Sequence, residues 1–383
     1  MKIITFYLPQ FHSIPENDEW WGKGFTEWVN MKKAKPLYEG HYQPRVPLDE
    51  NYYDLSQPDT MRWQVELANK YGVYGWCLYH YWFNGKLLLE KPVEHLLKDK
   101  SLNINFCLSW ANEPWTNGWV AEKAKVLLAQ RYGREKEWKE HFDYLLPFFQ
   151  DERYIKVEGK PLFVLYKTDI IPDMNEMLDY YQRLAQDAGL PGISFAYQAL
   201  YQNHLTMPDD SRFDFNIHYE PPYGVRDLTH QKHPVLRKIK RKIECYLNMH
   251  TNINIERVSL NQGLKFFDYN HVWEAILKRK PVSDKCVPGA YVDWDNTPRR
   301  PTRGSIHEGA DPQKFGKYIS QQIRRARDVY HKDMLFMFAW NEWAEGGYIE
   351  PDQKYQYGYL EAIKQALEDN NEFPESFEGQ DLC

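Results

Sequence analysis

The chain has 383 residues, 43% of them hydrophobic, and a formal charge of −6. That length suits one elaborated α/β barrel as well as two smaller domains, and the acidic balance excludes general nucleic-acid binding, which needs a basic surface. No window approaches the roughly 18 apolar residues of a membrane span, the N-terminal apolar run Ile3 to Leu8 is too short for a signal-peptide core, and five cysteines with no CxxC pair suit a reducing compartment and give no zinc signature; a soluble cytoplasmic protein is expected.

Short apolar or β-branched runs alternate with longer helical patterns, the βαβ signature. Eight strands are predicted: Ile3–Leu8, Gly75–Tyr81, Asn105–Trp110, Leu162–Tyr166, Ile193–Tyr197, Phe213–His218, Gly289–Val292 and Leu335–Trp340. Between the first two, Ser56-Gln57-Pro58-Asp59 opens a helix with Met61, Val65, Ala68 and Tyr71 on one face, and Gly72 closes it. Glu135 to Phe149 puts Trp138, Phe142 and Leu145 on one stripe, and Met177, Tyr181, Leu184 and Ala188 do the same before Gly189. Asp311-Pro312 reads as an N-cap with proline at N1, followed by the apolar face Phe315, Ile319, Ile323 and Ala326; Tyr357 to Glu368 is the last helix. Eight strands alternating with helices predict a (β/α)₈ TIM barrel. A doubly wound sheet is the rival, but no GxGxxG follows strand one. The expected organisation is one domain over 1–370 with a tail at 371–383. Long loops follow strand one (Pro9 to Asn51, with Trp20, Trp21 and Trp28) and strand six (an insertion over 225–285).

Each predicted strand runs into polar and aromatic residues. Strand one meets Tyr7 and Gln10, strand two His80, Tyr81 and Trp82, and strand three Asn112, Glu113 and Trp115. Strand four ends at Tyr166 and strand six at His218. Strand seven leads into Asp293, Trp294, Asp295, Asn296 and Arg299, and strand eight into Trp340, Asn341, Glu342, Trp343 and Glu345. In a barrel these ends converge on one face, where catalytic groups sit. These residues, with Trp28 from the first loop, form the candidate substrate site. Aromatics make up 16% of the chain; their faces can stack on sugar rings, though they equally pack cores.

Glu342 and Glu345 stand three apart as strand eight gives way to a loop. Paired carboxylates can take opposite roles when their surroundings separate their proton affinities, and glycoside cleavage needs that division of labour. Two surface acids on a solvated loop is the alternative; the neighbouring Trp340, Asn341, Trp343 and Gly346 point instead to a packed, shaped loop. Glu113, after Asn112, offers a third carboxylate, a candidate acid/base, a substrate contact or a structural brace of the loop. Asp293-Trp294-Asp295 has the DxD form that holds a divalent ion in many nucleotide-sugar transferases, a short pattern that also arises by chance. Arg299 and Arg300 can pair with phosphate or a sugar carboxylate, or with protein acids. The basic run 232–242 (KHPVLRKIKRK) reads as a solvated helix, or as a peripheral contact to an anionic membrane or glycan.

FYLPQFHSIPENDEWWGKGFTEWVNMKKAKPLYEGHYQPRVP, YGVYGWCLYHYWFNGKLLLEKP, LSWANEPWT, WDNTPRR and AWNEWAEGGYIEPD together resemble the WbsX family, associated with bacterial lipopolysaccharide O-antigen and capsule biosynthesis, often as glycosyltransferases. The strand-eight motif WNEWxEG is also similar to glycoside hydrolase family 99, endo-α-mannosidases and endo-α-mannanases built on (β/α)₈ barrels. The resemblance implies Glu342 as base towards the sugar 2-OH, which closes a 1,2-anhydro sugar, and Glu345 as general acid and then base. It implies retention of configuration and no metal or cofactor. The expected substrate is an oligo- or polysaccharide, free or lipid-linked. A glycosyltransferase and a non-catalytic glycan-binding barrel are the alternatives.

Overall fold

The computed structural model describes residues 1–117, 125–199, 209–229 and 263–374. The basic run 232–242 lies outside them, as do most of the 225–285 insertion and the end of the tail.

All eight predicted strands form, and all are parallel. Strand one (Lys2–Tyr7) lies between strand two (Gly75–Phe83) and strand eight (Met334–Phe338); strand three (Asn105–Trp110), strand four (Lys160–Leu165), strand five (Ser194–Ala199) and strand six (Phe215–His218) follow outward from strand two. Registers such as Ile4↔Gly75, Gly75↔Asn105, Leu162↔Ser194 and Lys2↔Met334 run the same way around the sheet. Strand seven closes the ring in two pieces. Cys286–Val287 pairs with strand six, and Gly289–Tyr291 pairs with strand eight. Pro288 stands between them; it has no N–H to give to a ladder, so the chain changes partner there, while its carbonyl still accepts from Phe336 N at 3.2 Å. The close approach at this closure admits only glycine at 289, where a Cβ would lie 1.7 Å from the His218 carbonyl oxygen.

Helices clothe the outside where the sequence places them. Pro58–Tyr71 ends at Gly72, left-handed at φ 82°. Glu135–Phe149 matches its predicted bounds. Pro312–Asp328 begins with the Asp311 side chain accepting from Lys314 N at 2.8 Å. It buries Phe315, Ile319, Ile323 and Ala326 and packs on Gly358–Asp369. The loop after strand one carries two short helices, Pro15–Trp21 and Glu27–Lys33.

Alternate residues of a barrel strand face the interior and the helix layer, and this alternation sorts the strand-end residues. Phe6, Tyr79, Tyr219, Phe336 and Phe338 form one interior aromatic cluster, with ring centroids 5.2–5.9 Å apart. Tyr7, Trp76 and Trp340 pack together on the other side of the sheet, where the Tyr7 hydroxyl donates to Gln64 of Pro58–Tyr71.

Candidate active site

Strand eight delivers the carboxylate pair. Past Phe338 the chain makes a tight hairpin: Asn341-Glu342 pairs antiparallel with Gly347-Tyr348 around a single 3₁₀ turn, Trp343–Glu345. Gly346 closes the turn at φ 71°, and a Cβ there would sit 2.8 Å from Asp295 N. The loops after strands one and seven clamp this hairpin. Asp295 N donates to the Glu345 carbonyl at 2.7 Å, and Arg45 Nη1 donates to the Gly346 carbonyl at 3.1 Å.

Arg299, on the loop after strand seven, is the centre of the site. Its Nη1 reaches Glu345 Oε1 at 2.8 Å, its Nη2 reaches Glu342 Oε2 at 3.4 Å, and its Nε reaches Glu27 Oε2 at 3.1 Å. One guanidinium therefore serves three carboxylates, Glu27 from the loop after strand one and the Glu342–Glu345 pair from the strand-eight hairpin, and all four side chains are at most 14% exposed. Burial works against the charge of Arg299, but Glu27, Glu345 and Glu342 hold it firmly protonated. Burial pushes the Glu342 carboxyl up to about 8; Arg299 opposes the rise, and the charges of Glu345 and Glu27 add to it.

Four tyrosines surround this group. Tyr79, Tyr81, Tyr166 and Tyr219 each feel the charge of Glu342, and all four hydroxyls are held protonated, first by burial. Tyr79 and Tyr219 share a hydrogen bond at 3.0 Å, and Gln10 Nε2 donates to the Tyr81 hydroxyl at 2.9 Å. Trp115, half-buried, packs edge-on against Tyr81, Phe83 and Trp20. Trp294, also half-buried, lies against Phe338 and donates to Ser305 Oγ at 2.8 Å. Glu113 is paired with Lys167, and its charge reaches Tyr166.

Several other residues expected at the site stand behind it. Trp340 and Trp343 are 0% and 1% exposed, and both indole N–H groups point at Glu350, at 2.9 and 2.7 Å. Glu350 also accepts from Gln64 at 2.6 Å and from Tyr53 at 2.8 Å. Burial raises its carboxyl to about 7, and these four donors oppose the rise. Asn341 binds both the N–H and the carbonyl of Leu8, tying strand eight to strand one. Trp28 packs under Trp343 and donates to the Tyr53 carbonyl. Asn112 bridges to the backbone of Lys167, joining strands three and four, and Asn296 accepts from Ser305 N. Tyr7, His80, Trp82 and His218 face the helix layer. His80 meets His141 at 2.9 Å, Trp82 stacks on the same ring, and burial lowers His80 to about 3, so it stays neutral. His218 stacks on Tyr223 beside Arg279.

The DxD carboxylates are already engaged by protein groups. Asp293 pairs with Arg45 at 2.8 Å. Asp295 accepts from His41, Gln43 and Thr297. Among the described residues no group of three or more His, Cys, Asp or Glu could hold a metal ion. The sequence reading passes over Glu27, Tyr79, Tyr219, Arg45 and Glu350. Sorting strand two by alternation would have chosen Tyr79 with Tyr81 over His80 with Trp82.

Comparison with known proteins agrees with this architecture. The chain is similar to a solved family 99 endo-α-mannosidase from Bacteroides thetaiotaomicron, at 14% identity and a TM-score of 0.52, covering 98% of both chains. It is also similar to a glycoside hydrolase-like protein, at 12% identity and a TM-score of 0.55, covering 95% of this chain and 93% of the other. At these identities the likeness establishes the barrel fold. The uncharacterised protein WxcX of two strains of Xanthomonas campestris pathovar campestris is 34% identical over 95% of this chain. The chain spans about half the length of these relatives, 49%. Residues 3–363 match the family described as Glycosyltransferase WbsX, and the chain belongs to that family.

Proposed function

We propose that this barrel is a retaining glycoside hydrolase that cuts within a bacterial surface polysaccharide, O-antigen or capsule, or within its precursor. The observation that carries the reading is the Glu342–Glu345 pair on one buried arginine at the mouth of the barrel. In this reading Glu342 takes the proton of the sugar 2-OH, whose oxygen attacks its own anomeric carbon. Glu345 protonates the departing oxygen and afterwards deprotonates the water that opens the anhydro ring, while Glu342 returns its proton to the sugar 2-oxygen. The pair then needs one proton between its two carboxyls. A Glu342 carboxyl that titrates near 8 supplies that count at neutral pH. Without sugar the closer contact of Arg299 with Glu345 leaves the proton on Glu342; the reaction requires it on Glu345 once the 2-OH lies against Glu342. A shared proton belongs to the pair rather than to one member, so a new hydrogen-bond partner can relocate it.

The family's name favours a second reading, glycosyl transfer from a nucleotide sugar. The charges of the site argue against it. A nucleoside diphosphate would enter beside three carboxylates whose shared arginine is already engaged, and the DxD oxygens are taken by Arg45, His41, Gln43 and Thr297.

Mass spectrometry of products separates the two. The purified protein would be incubated with the host's surface polysaccharide, with and without a nucleotide-sugar mixture and EDTA. Shortened glycans without nucleotide, unaffected by EDTA, are expected. Products that lengthen only with nucleotide sugar would establish the transferase instead.

A further inference from the structure

We propose that Glu27 is a positioning residue that keeps one proton on the Glu342–Glu345 pair at neutral pH by taking a share of Arg299. The inference rests on the acid–base reading of that pair. A guanidinium offers five N–H donors in a rigid fork, and facing a single carboxylate it settles into a two-bond pairing. Here the fork is divided. Glu27 takes Nε at 3.1 Å, so Nη1 and Nη2 each turn to a different member of the pair.

The charge count follows. Three ionised carboxylates and one guanidinium would leave a buried net charge of −2 in contact, and the low-dielectric surroundings disfavour that. The other titratable groups facing Glu342 are Tyr79, Tyr81, Tyr166 and Tyr219, all held protonated, so none supplies compensating charge. Beyond Tyr166, Glu113 is matched by Lys167. Taking up one proton is the available relief, and Glu342 receives it because its bond to Arg299 is the longest of the three. Without the charge of Glu27 the group would carry two carboxylates on one arginine, and the need for that proton would fall.

Glu27 comes from the loop after strand one, 272 residues from Arg299. Its backbone N–H is anchored to the Gln10 carbonyl, while the Gln10 side chain holds Tyr81. The loop that supplies part of the pocket wall thus also sets the charge of the pair.

The test is Glu27→Gln, which keeps the shape and removes the charge, with Glu27→Asp as the charge-retaining control. Glutamate carboxyl carbons would be labelled with ¹³C, Glu342 assigned through Glu342→Gln, and the carboxyls titrated by NMR without substrate. The titration of Glu342 should move about one pH unit lower in Glu27→Gln. On turnover, the alkaline limb of the pH–rate profile should move with it, cutting the rate on that limb about tenfold per unit with little change in KM. Glu27→Asp should keep the wild-type limb. A uniform loss at every pH with unmoved titrations would overturn the proposal and make Glu27 a structural brace. Because the NMR titration needs no substrate, the two readings fail separately. A moved titration in a protein that cleaves no glycan would sink the hydrolase alone. An unmoved titration in an active hydrolase would sink the role of Glu27 alone.

Discussion

Two buried carboxylates on the same hairpin, Glu350 and Glu342, meet opposite treatment. Glu350 accepts hydrogen bonds from Trp340, Trp343, Gln64 and Tyr53, two on each oxygen, all from uncharged donors. Glu342 has one cationic donor, 3.4 Å away and divided among three acids. Burial raises both carboxyls, to about 7 and about 8, so the difference between them lies in saturation. A carboxylate ringed by fixed donors is an anchor, since any change of charge disturbs four partners. One held loosely beside two others can exchange a proton with modest rearrangement. The two carboxylates are eight residues apart, and Glu350 holds still the two tryptophans that flank Glu342.

The sharpest way to break this comparison is to remove each charge. Glu342→Gln should lower turnover of any glycoside about 10²–10⁴-fold, the usual range for losing a general base. Glu345→Gln should lose as much on a substrate with a poor leaving group and far less on an activated aryl glycoside, which needs little protonation. Melting temperatures should hardly fall, because Glu342→Gln replaces a carboxyl that already carries the proton and Glu345→Gln relieves a crowded set of negative charges. Wild-type rates in both variants would remove the pair from the chemistry.

Glu350→Gln should show the reverse balance, a stability loss larger than its direct effect on chemistry. One oxygen becomes an amide that points donors at donors, on one side or the other. An unsatisfied buried donor costs about 1–3 kcal/mol, a drop of roughly 1–4 °C in Tm for a chain of this size. The pH dependence carries a sign. The folded value of Glu350 near 7 lies above the ordinary carboxyl value of 4.5, so between those limits the folded protein holds a proton that the unfolded chain has released. Its contribution is complete below about 4.5 and is lost as pH rises through 7. Glutamine does not titrate, so the Tm deficit of Glu350→Gln should be widest near pH 5 and narrow towards pH 8. A deficit that widens with pH would mean the four donors outweigh burial and that Glu350 is ionised throughout.

Much of this division was legible in the sequence, and the remainder was hidden for identifiable reasons. Apolar runs mark all eight strands because parallel barrel strands are buried on both faces. Gly72 and Asp311-Pro312 mark helix ends through local backbone chemistry, which neighbouring residues express without help from the fold. The WNEWAEGG run betrays the carboxylate pair because a tight turn needs Gly346 where Asp295 approaches. What local pattern does not carry is direction. His80 and Trp82 sit in the same aromatic burst as Tyr79 and Tyr81, yet alternation turns them to Glu135–Phe149, where they meet His141. Nor does it carry partnership across the chain. Glu27 and Arg299 are joined only by barrel closure, and the DxD acids are engaged by Arg45, His41 and Gln43 from a loop about 250 residues earlier.

The finest test of the anchor concerns single N–H groups. Trp343→Phe and Trp340→Phe each remove one donor to Glu350, from different oxygens, while keeping an aromatic ring. Each should cost about 1 kcal/mol for the hydrogen bond, with a further packing loss where the ring shrinks. Trp343 should lose more, because it stacks on Tyr348 at 3.7 Å and against Trp28 at 5.5 Å, whereas Trp340 meets Trp76 at 5.4 Å. Packing and hydrogen bonding separate in a double-mutant cycle with Glu350→Gln. If the indole acts through Glu350, the losses are less than additive by about 0.5–1.5 kcal/mol, since the second change removes a bond the first has already weakened. Strict additivity would show that the tryptophans stand by packing alone. In that case Glu350 would anchor the hairpin through Gln64 and Tyr53, which come from the helix and the loop outside it.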